Sequence, residues 1–138
     1  MKISTRGRYG LRALVEIARL NEKGQVSVKE ISARQKISEN YLEQIIFPLK
    51  KAGIVKSIRG AQGGYLLARP AAEITVGDIL RVLEGDIAPV ECLAGNGAGC
   101  DRADSCPTIG LWRELNEAVY KVVDSHTLQD LVDSHTHL

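Results

Sequence analysis

Outside the fifteen residues from Cys92 to Cys106 the chain has no cysteine, and an odd number of thiols confined to so short a window does not make a disulfide framework. The start of the chain has no uncharged apolar run. Arg6, Arg8, Arg12, Glu16 and Arg19 interrupt the first twenty residues, so neither a signal peptide nor a membrane span is expected there, and a cytoplasmic protein is. Internal repeats are absent, and 138 residues exclude a large multidomain enzyme while allowing one compact domain with an appendage.

Charge is abundant but unevenly placed. Up to Pro70 there are 14 Lys/Arg against 5 Asp/Glu, a net of +9, and beyond it 4 against 12, a net of −8. A basic half of this size suits a polyanion, because each Lys or Arg placed on a phosphate releases condensed counterions. Charge alone does not separate that reading from an ordinary solvated face.

Apolar spacing supplies the elements. Leu11, Leu14, Val15 and Ala18 mark one face of a helix from Thr5 to about Asn21, with Gly24 as its stop. Ser27 and Glu30 fit a capping box opening a short helix to about Arg34, and Gln35 to Ile37 form a tight turn. Ser38 caps a third helix with Leu42, Ile45, Ile46 and Leu49 on its apolar stripe and Gly53 at its end. Pro48 should kink that helix or shorten its regular part. Two short helices around such a turn match a helix-turn-helix. Ile54 to Ile58 and Tyr65 to Ala68 read as strands around a glycine-rich reversal, which makes a wing. Pro70 to Glu73 reads as a linker, and Thr75 with Asp78 caps a helix that Gly85 ends. Ile87 to Ser105 has no sustained period, Pro107 suits the first turn of a long helix bearing Leu111, Leu115, Ala118, Val119 and Val122, and Thr127 with Asp130 caps a last short one. The fold expected is mainly α with a small β-hairpin wing, and a lone long amphipathic helix needs a partner.

A helix-turn-helix lays its second helix in the major groove, where Ser38, Asn40, Tyr41, Glu43 and Gln44 are the candidate base readers. Glu43 is repelled by phosphate and its natural base partner is the cytosine amino group, which suits a selectivity filter, although a surface helix former is the plainer role. Arg59 at the wing tip suits a narrow minor groove. The glycine-rich loop lacks the Lys-Ser/Thr ending of a P-loop, so nucleotide binding is set aside. The spacing of Cys92, Cys100 and Cys106, C-x7-C-x5-C, differs from the paired C-x2-C of structural zinc sites and leaves an iron-sulfur cluster, zinc and redox thiols all open. His135 and His137 read as a terminal tail rather than ligands.

Lys2 to Tyr9, Tyr41-Leu42-Glu43-Gln44, Ser57-Ile58-Arg59-Gly60 and Gly63-Gly64-Tyr65-Leu66-Leu67 resemble the bacterial IscR, CymR and NsrR regulators. The likeness continues through Gly77-Asp78-Ile79, the cysteine segment, Leu111-Trp112 and Thr127 to Leu131, covering nearly the whole chain. It implies a homodimer with paired long helices on a palindromic operator in double-stranded DNA, and a cluster on Cys92, Cys100 and Cys106, [2Fe-2S] ahead of [4Fe-4S]. The organisation expected is a winged helix-turn-helix domain over 1–70, a connecting helix and cluster loop over 71–106, and a dimerisation helix with a short C-terminal helix over 107–138. Two departures stand out. IscR-like members place a ligating histidine where this chain has Ile109, and NsrR-like members an acidic residue where it has Arg8, which cannot ligate iron. The fourth ligand is open among Glu91, Asp101, Asp104, a small thiol and water. CymR-like members lack the cysteine set, so their partner-protein mode of sensing fits less well, and a cysteine-metabolism repressor working through thiols or a partner protein is kept as the alternative. An iron-sulfur electron-transfer or carrier protein would use the same cysteines without needing the basic half or the wing. Catalysis is not expected, since no histidine lies near the cysteines in sequence.

Overall fold

The computed structural model describes residues 2–94 and 101–136, including the side chains of all of these except His135 and Thr136. Six helices and one hairpin follow one another as α1 (Thr5–Leu20), α2 (Val28–Gln35), α3 (Glu39–Lys51), β1 (Val55–Ile58), β2 (Gly64–Leu67), α4 (Val76–Glu84), α5 (Ile109–Ser125) and α6 (Leu128–Thr136). Hydroxyl caps set the starts of most helices. Ser4, Ser27 and Ser38 each accept a backbone N–H three residues on, which satisfies one of the donors a helix start leaves free. Thr75 with Asp78 and Thr127 with Asp130 complete the reciprocal box. Glu30 does not, because its carboxylate turns to Arg34 at 3.4 Å instead.

The stripes converge on one core. Leu14 and Ile17 of α1, Ile31 of α2, Leu42, Ile45, Ile46 and Leu49 of α3, and Ile79 of α4 are all buried in it. Ile74 and Leu128 join them, because the end of the chain is stitched back beside the start of α4: the Leu128 N–H donates to the Ile74 carbonyl at 2.8 Å and the Val76 N–H to the His126 carbonyl at 2.8 Å. The last helix therefore packs on α1. Gly10 is where α1 and α4 cross closely, since a Cβ there would collide with the Leu83 side chain.

The wing is an antiparallel pair with Val55 opposite Leu67 and Ile58 opposite Gly64. Val26 adds a single bridged rung beside β2 that the period-2 pattern does not reveal, exchanging both backbone hydrogen bonds with Tyr65 at 3.0 and 2.8 Å. Gly64 permits this, as a Cβ would lie 2.5 Å from the Val26 carbonyl oxygen. Contrary to one expectation, Pro48 does not shorten α3, which runs on to Lys51. The carbonyl that loses its donor belongs to the exposed Gln44, where water can replace it.

α5 is built differently. It begins two residues after Pro107, with Thr108 at the N-cap, and Ile109 is its one buried residue. Leu111, Leu115 and Val122 are 57%, 39% and 57% exposed, so the apolar stripe lies open. A bidentate contact from Arg81 to Asp124, at 2.8 and 2.7 Å, ties α5 to α4.

Candidate nucleic-acid interface and cysteine segment

Between the two helices of the helix-turn-helix, Lys36 takes the left-handed conformation (φ 56°) and its N–H closes on the Ser32 carbonyl at 2.8 Å. That corner lets Ser38 start α3 with its apolar stripe buried and its opposite face outward. Asn40, Glu43 and Gln44 are exposed on that face. Ser38 is exposed too, and its Oγ accepts the Tyr41 N–H at 3.2 Å, which leaves its O–H and one lone pair for an outside partner. Tyr41 is half-buried and meets Tyr9 edge-on, with ring centroids 6.0 Å apart, so its ring fixes α3 against α1 rather than projecting freely.

Arg59 is exposed where β1 leads into the reversal, with Lys56 and Ile58 also exposed along β1. Burial, and then the negative charge of Glu43, push the Tyr65 hydroxyl above its ordinary pKa. Glu43 of the recognition helix is therefore near enough to Tyr65 of β2 for its charge to be felt there. Phe47 belongs to the same outward face of α3 and is not among the polar candidates. It is 59% exposed, with the Lys51 ammonium 5.0 Å from its ring centroid. The signal was present in the sequence, since Phe47 falls outside the Leu42, Ile45, Ile46, Leu49 stripe and one turn beyond Glu43 and Gln44. An apolar ring at such a place suits a thymine methyl group.

In the acidic half of the chain, Cys92 is half-buried in a short turn of 3-10 helix (Glu91–Leu93), and Cys106 is half-buried just before α5. The Cys106 Sγ lies 3.3 Å from the Thr108 hydroxyl. Hydrogen bonding from the Thr108 side chain, then from the Thr108 and Ile109 backbone, outweighs slight desolvation and holds this thiol below its ordinary pKa. Cys100 lies outside the described residues. Among the described residues, no group of three or more His, Cys, Asp or Glu is placed to hold a metal. Glu91, Asp101 and Asp104 are exposed, Ile109 is buried, and Arg8 is exposed with its guanidinium donating to the Thr5 hydroxyl at 3.2 Å. No helix among the described residues is long and apolar enough to cross a membrane.

Comparison with known proteins bears on both halves. Residues 3–134 match the family described as Rrf2, iron-dependent transcriptional regulator. The transcriptional regulator CymR of Bacillus subtilis is 48% identical over 131 residues, 95% of this chain and 89% of that protein. Its solved structure, described as the global cysteine regulator, superposes with a TM-score of 0.82 at 47% identity, covering 97% of this chain and 98% of that one. T. potens IscR superposes with a TM-score of 0.79 at 42% identity, covering 98% of this chain and 88% of that one.

Proposed function

The chain belongs to the Rrf2 family of transcriptional regulators, and we propose that it is a cytoplasmic homodimer that binds a palindromic operator through Ser38, Asn40, Tyr41, Glu43, Gln44 and Arg59 and reports on iron-sulfur status through its cysteines. It is a regulator and not an enzyme. The exposed stripe of α5 supports the homodimer, since a two-fold axis pairs the same stripe from each copy and removes it from water.

The observation that carries the sensing reading is the crowding of Cys92, Cys100 and Cys106 into fifteen residues, and the hydrogen bonds that lower the Cys106 thiol support it, because thiolates and not thiols bind iron. Two donors, Cys92 and Cys106, lie among the described residues, and Cys100 completes the set this reading requires. The donor chemistry fits a cluster, [2Fe-2S] with one outside ligand ahead of [4Fe-4S] with one labile site. When bound, the group supplies a centre that oxidants, nitric oxide or iron limitation remove. The protein's own part is the placement of its thiols. The segment lies between α4 and α5, so ordering it biases the spacing of the two recognition helices, to the extent that ligation favours one arrangement over the other.

A second reading rests on the likeness to CymR: the same depressed thiol would act directly, in an iron-free repressor of cysteine metabolism. One experiment separates them. The protein is purified anaerobically, its iron, sulfide and visible spectrum are measured beside Cys92→Ala, Cys100→Ala and Cys106→Ala, and each form is titrated with operator DNA. Stoichiometric iron and sulfide, lost in each variant and coupled to a change in operator affinity, is expected. Iron-free protein whose operator affinity responds to a thiol oxidant supports the second reading, and identical DNA binding by loaded and stripped protein overturns cluster sensing.

A further inference from the structure

A cleft of about 360 Å³ opens between α1, the end of α2 and α6, remote in sequence from the cysteines. This volume falls at the small end of ligand sites, roughly 300–1,000 Å³. Leu11, Val15 and Leu131 form its apolar walls, and Arg12, Glu16 and Gln35 supply its polar groups. Glu16 is 4% exposed and is the one buried charged residue among those described. Its Oε1 accepts from Gln35 Nε2 at 2.6 Å and from Arg19 at 3.2 Å, while Oε2 is buried without a hydrogen-bond partner among the described residues. A buried carboxylate oxygen left without a donor costs free energy and calls for an explanation.

The opposite charge is close by. Arg12 is exposed, its guanidinium lies 4.9 Å from the Tyr9 ring centroid, and it donates from Nε to Gln35 Oε1 at 2.9 Å and from Nη2 to the Gln35 carbonyl. Those bonds use two of its five N–H donors and leave about three for a ligand. The cleft thus brings guanidinium donors for an anion and an apolar wall beside a carboxylate, and because Glu16 Oε2 is itself shielded from solvent, an ammonium reaches this carboxylate by displacing the Gln35 side chain from Oε1.

We propose that this cleft is an effector site for a free α-amino acid with an apolar side chain. The ammonium goes to Glu16 and the carboxylate to Arg12, with the side chain against Leu11, Val15 and Leu131. Gln35 bridges Glu16 and Arg12 and is the last residue of α2, next to the left-handed Lys36 of the helix-turn-helix corner. Ligand that takes over contacts of Gln35 therefore moves the corner that aims α3, and operator affinity changes by the ligand's preference between the two arrangements. Only that coupling rests on the DNA-binding reading. The site itself is independent of it and of the cysteines.

The test is calorimetric titration of the purified full chain with each of the twenty standard L-amino acids, then with the N-acetyl and methyl-ester forms of the tightest binder. The expected result is binding by an apolar amino acid, weakened at least tenfold by either blocking group and at least tenfold by Glu16→Gln. Because Glu16→Gln disturbs a buried pair, Leu131→Trp provides a second variant. It fills the cleft from half-exposed α6 and is expected to abolish amino-acid binding while leaving operator binding without ligand unchanged. Saturating amino acid should shift operator affinity at least threefold in the unaltered protein. Absence of binding by all twenty, equal binding of the blocked forms, or unaltered binding by Leu131→Trp overturns the site. Binding with unchanged operator affinity overturns its role as an effector site.

Discussion

The basic front of the chain packs its apolar stripes into a core that α4 and the start of α6 complete within the same chain, whereas the acidic stretch from Asp86 to Ser125 leaves apolar surface uncovered and holds Cys92 and Cys106 on short segments between helices. In the front, Leu42 of the recognition helix is fully buried, so the helix that reads DNA is fixed by packing within one chain. In the acidic stretch, Leu111 and Val122 face solvent at 57% each, and only Ile109 of α5 is buried. The same kind of side chain thus has opposite work in the two regions: one holds a fold, the other awaits a second copy. Leucine changes expose this contrast most strongly. Leu42→Ala should cost about 2–5 kcal/mol of folding stability, read by denaturant unfolding, because it leaves a cavity in a closed core. Leu111→Asp with Val122→Asp should leave a folded chain that sediments as a monomer and binds operator roughly a hundredfold or more weakly, the scale of a lost bivalent contact. A dimer that survives both changes would break the comparison.

That contrast also explains what was legible in the sequence. The helix-turn-helix was readable because its signals are local: Ser38 caps, Leu42, Ile45, Ile46 and Leu49 recur at helical spacing, and the residues left over form the outer face. The wing was readable from its glycines, yet the Val26 rung was not, because a single bridged residue has no periodicity to detect. Tyr41 is a candidate reader by position, and only three-dimensional packing shows that its half-buried ring also meets Tyr9. Phe47 was passed over because an aromatic on a helix is ordinarily core, and its exposure depends on which face the fold turns outward. In the acidic stretch the spacing of cysteines names candidate ligands without their geometry. The fourth ligand is a question of tertiary placement, and neither the buried Ile109 nor the cationic Arg8 answers it.

Within the basic front, recognition helix and wing should separate into specificity and affinity. Glu43→Ala is expected to broaden site choice, losing about 1–3 kcal/mol of discrimination at the base pair that Glu43 faces, while total affinity holds or rises as a charge repelled by phosphate is removed. Arg59→Ala is expected to weaken binding to every site, by roughly 1–3 kcal/mol, and to lower the salt dependence by about one phosphate's worth. Selection from a randomised operator library, followed by salt-dependent titration, reads both. Equal loss across all sites in Glu43→Ala would sink its role as a filter.

The smallest effect expected is at the joint between the two regions, the Arg81–Asp124 contact. Both side chains are more than a third exposed, at 42% and 43%, so the pair should contribute no more than an ordinary surface ion pair, about 0.2–1 kcal/mol. The Arg81 hydrogen bond holds the Asp124 carboxyl below the usual carboxylate range. A carboxyl depressed in the folded state stabilises the fold above its unfolded value, about 3.9, and loses that contribution as pH falls through the lower folded value. Thermal unfolding from pH 7 to pH 2.5 should therefore show Arg81→Met less stable than the unaltered protein at neutral pH, the two converging toward the acid end. Parallel curves over the whole range would mean that Arg81 acts through its packing on Tyr120, where its guanidinium lies 5.2 Å from the ring centroid, and that charge contributes nothing to the joint.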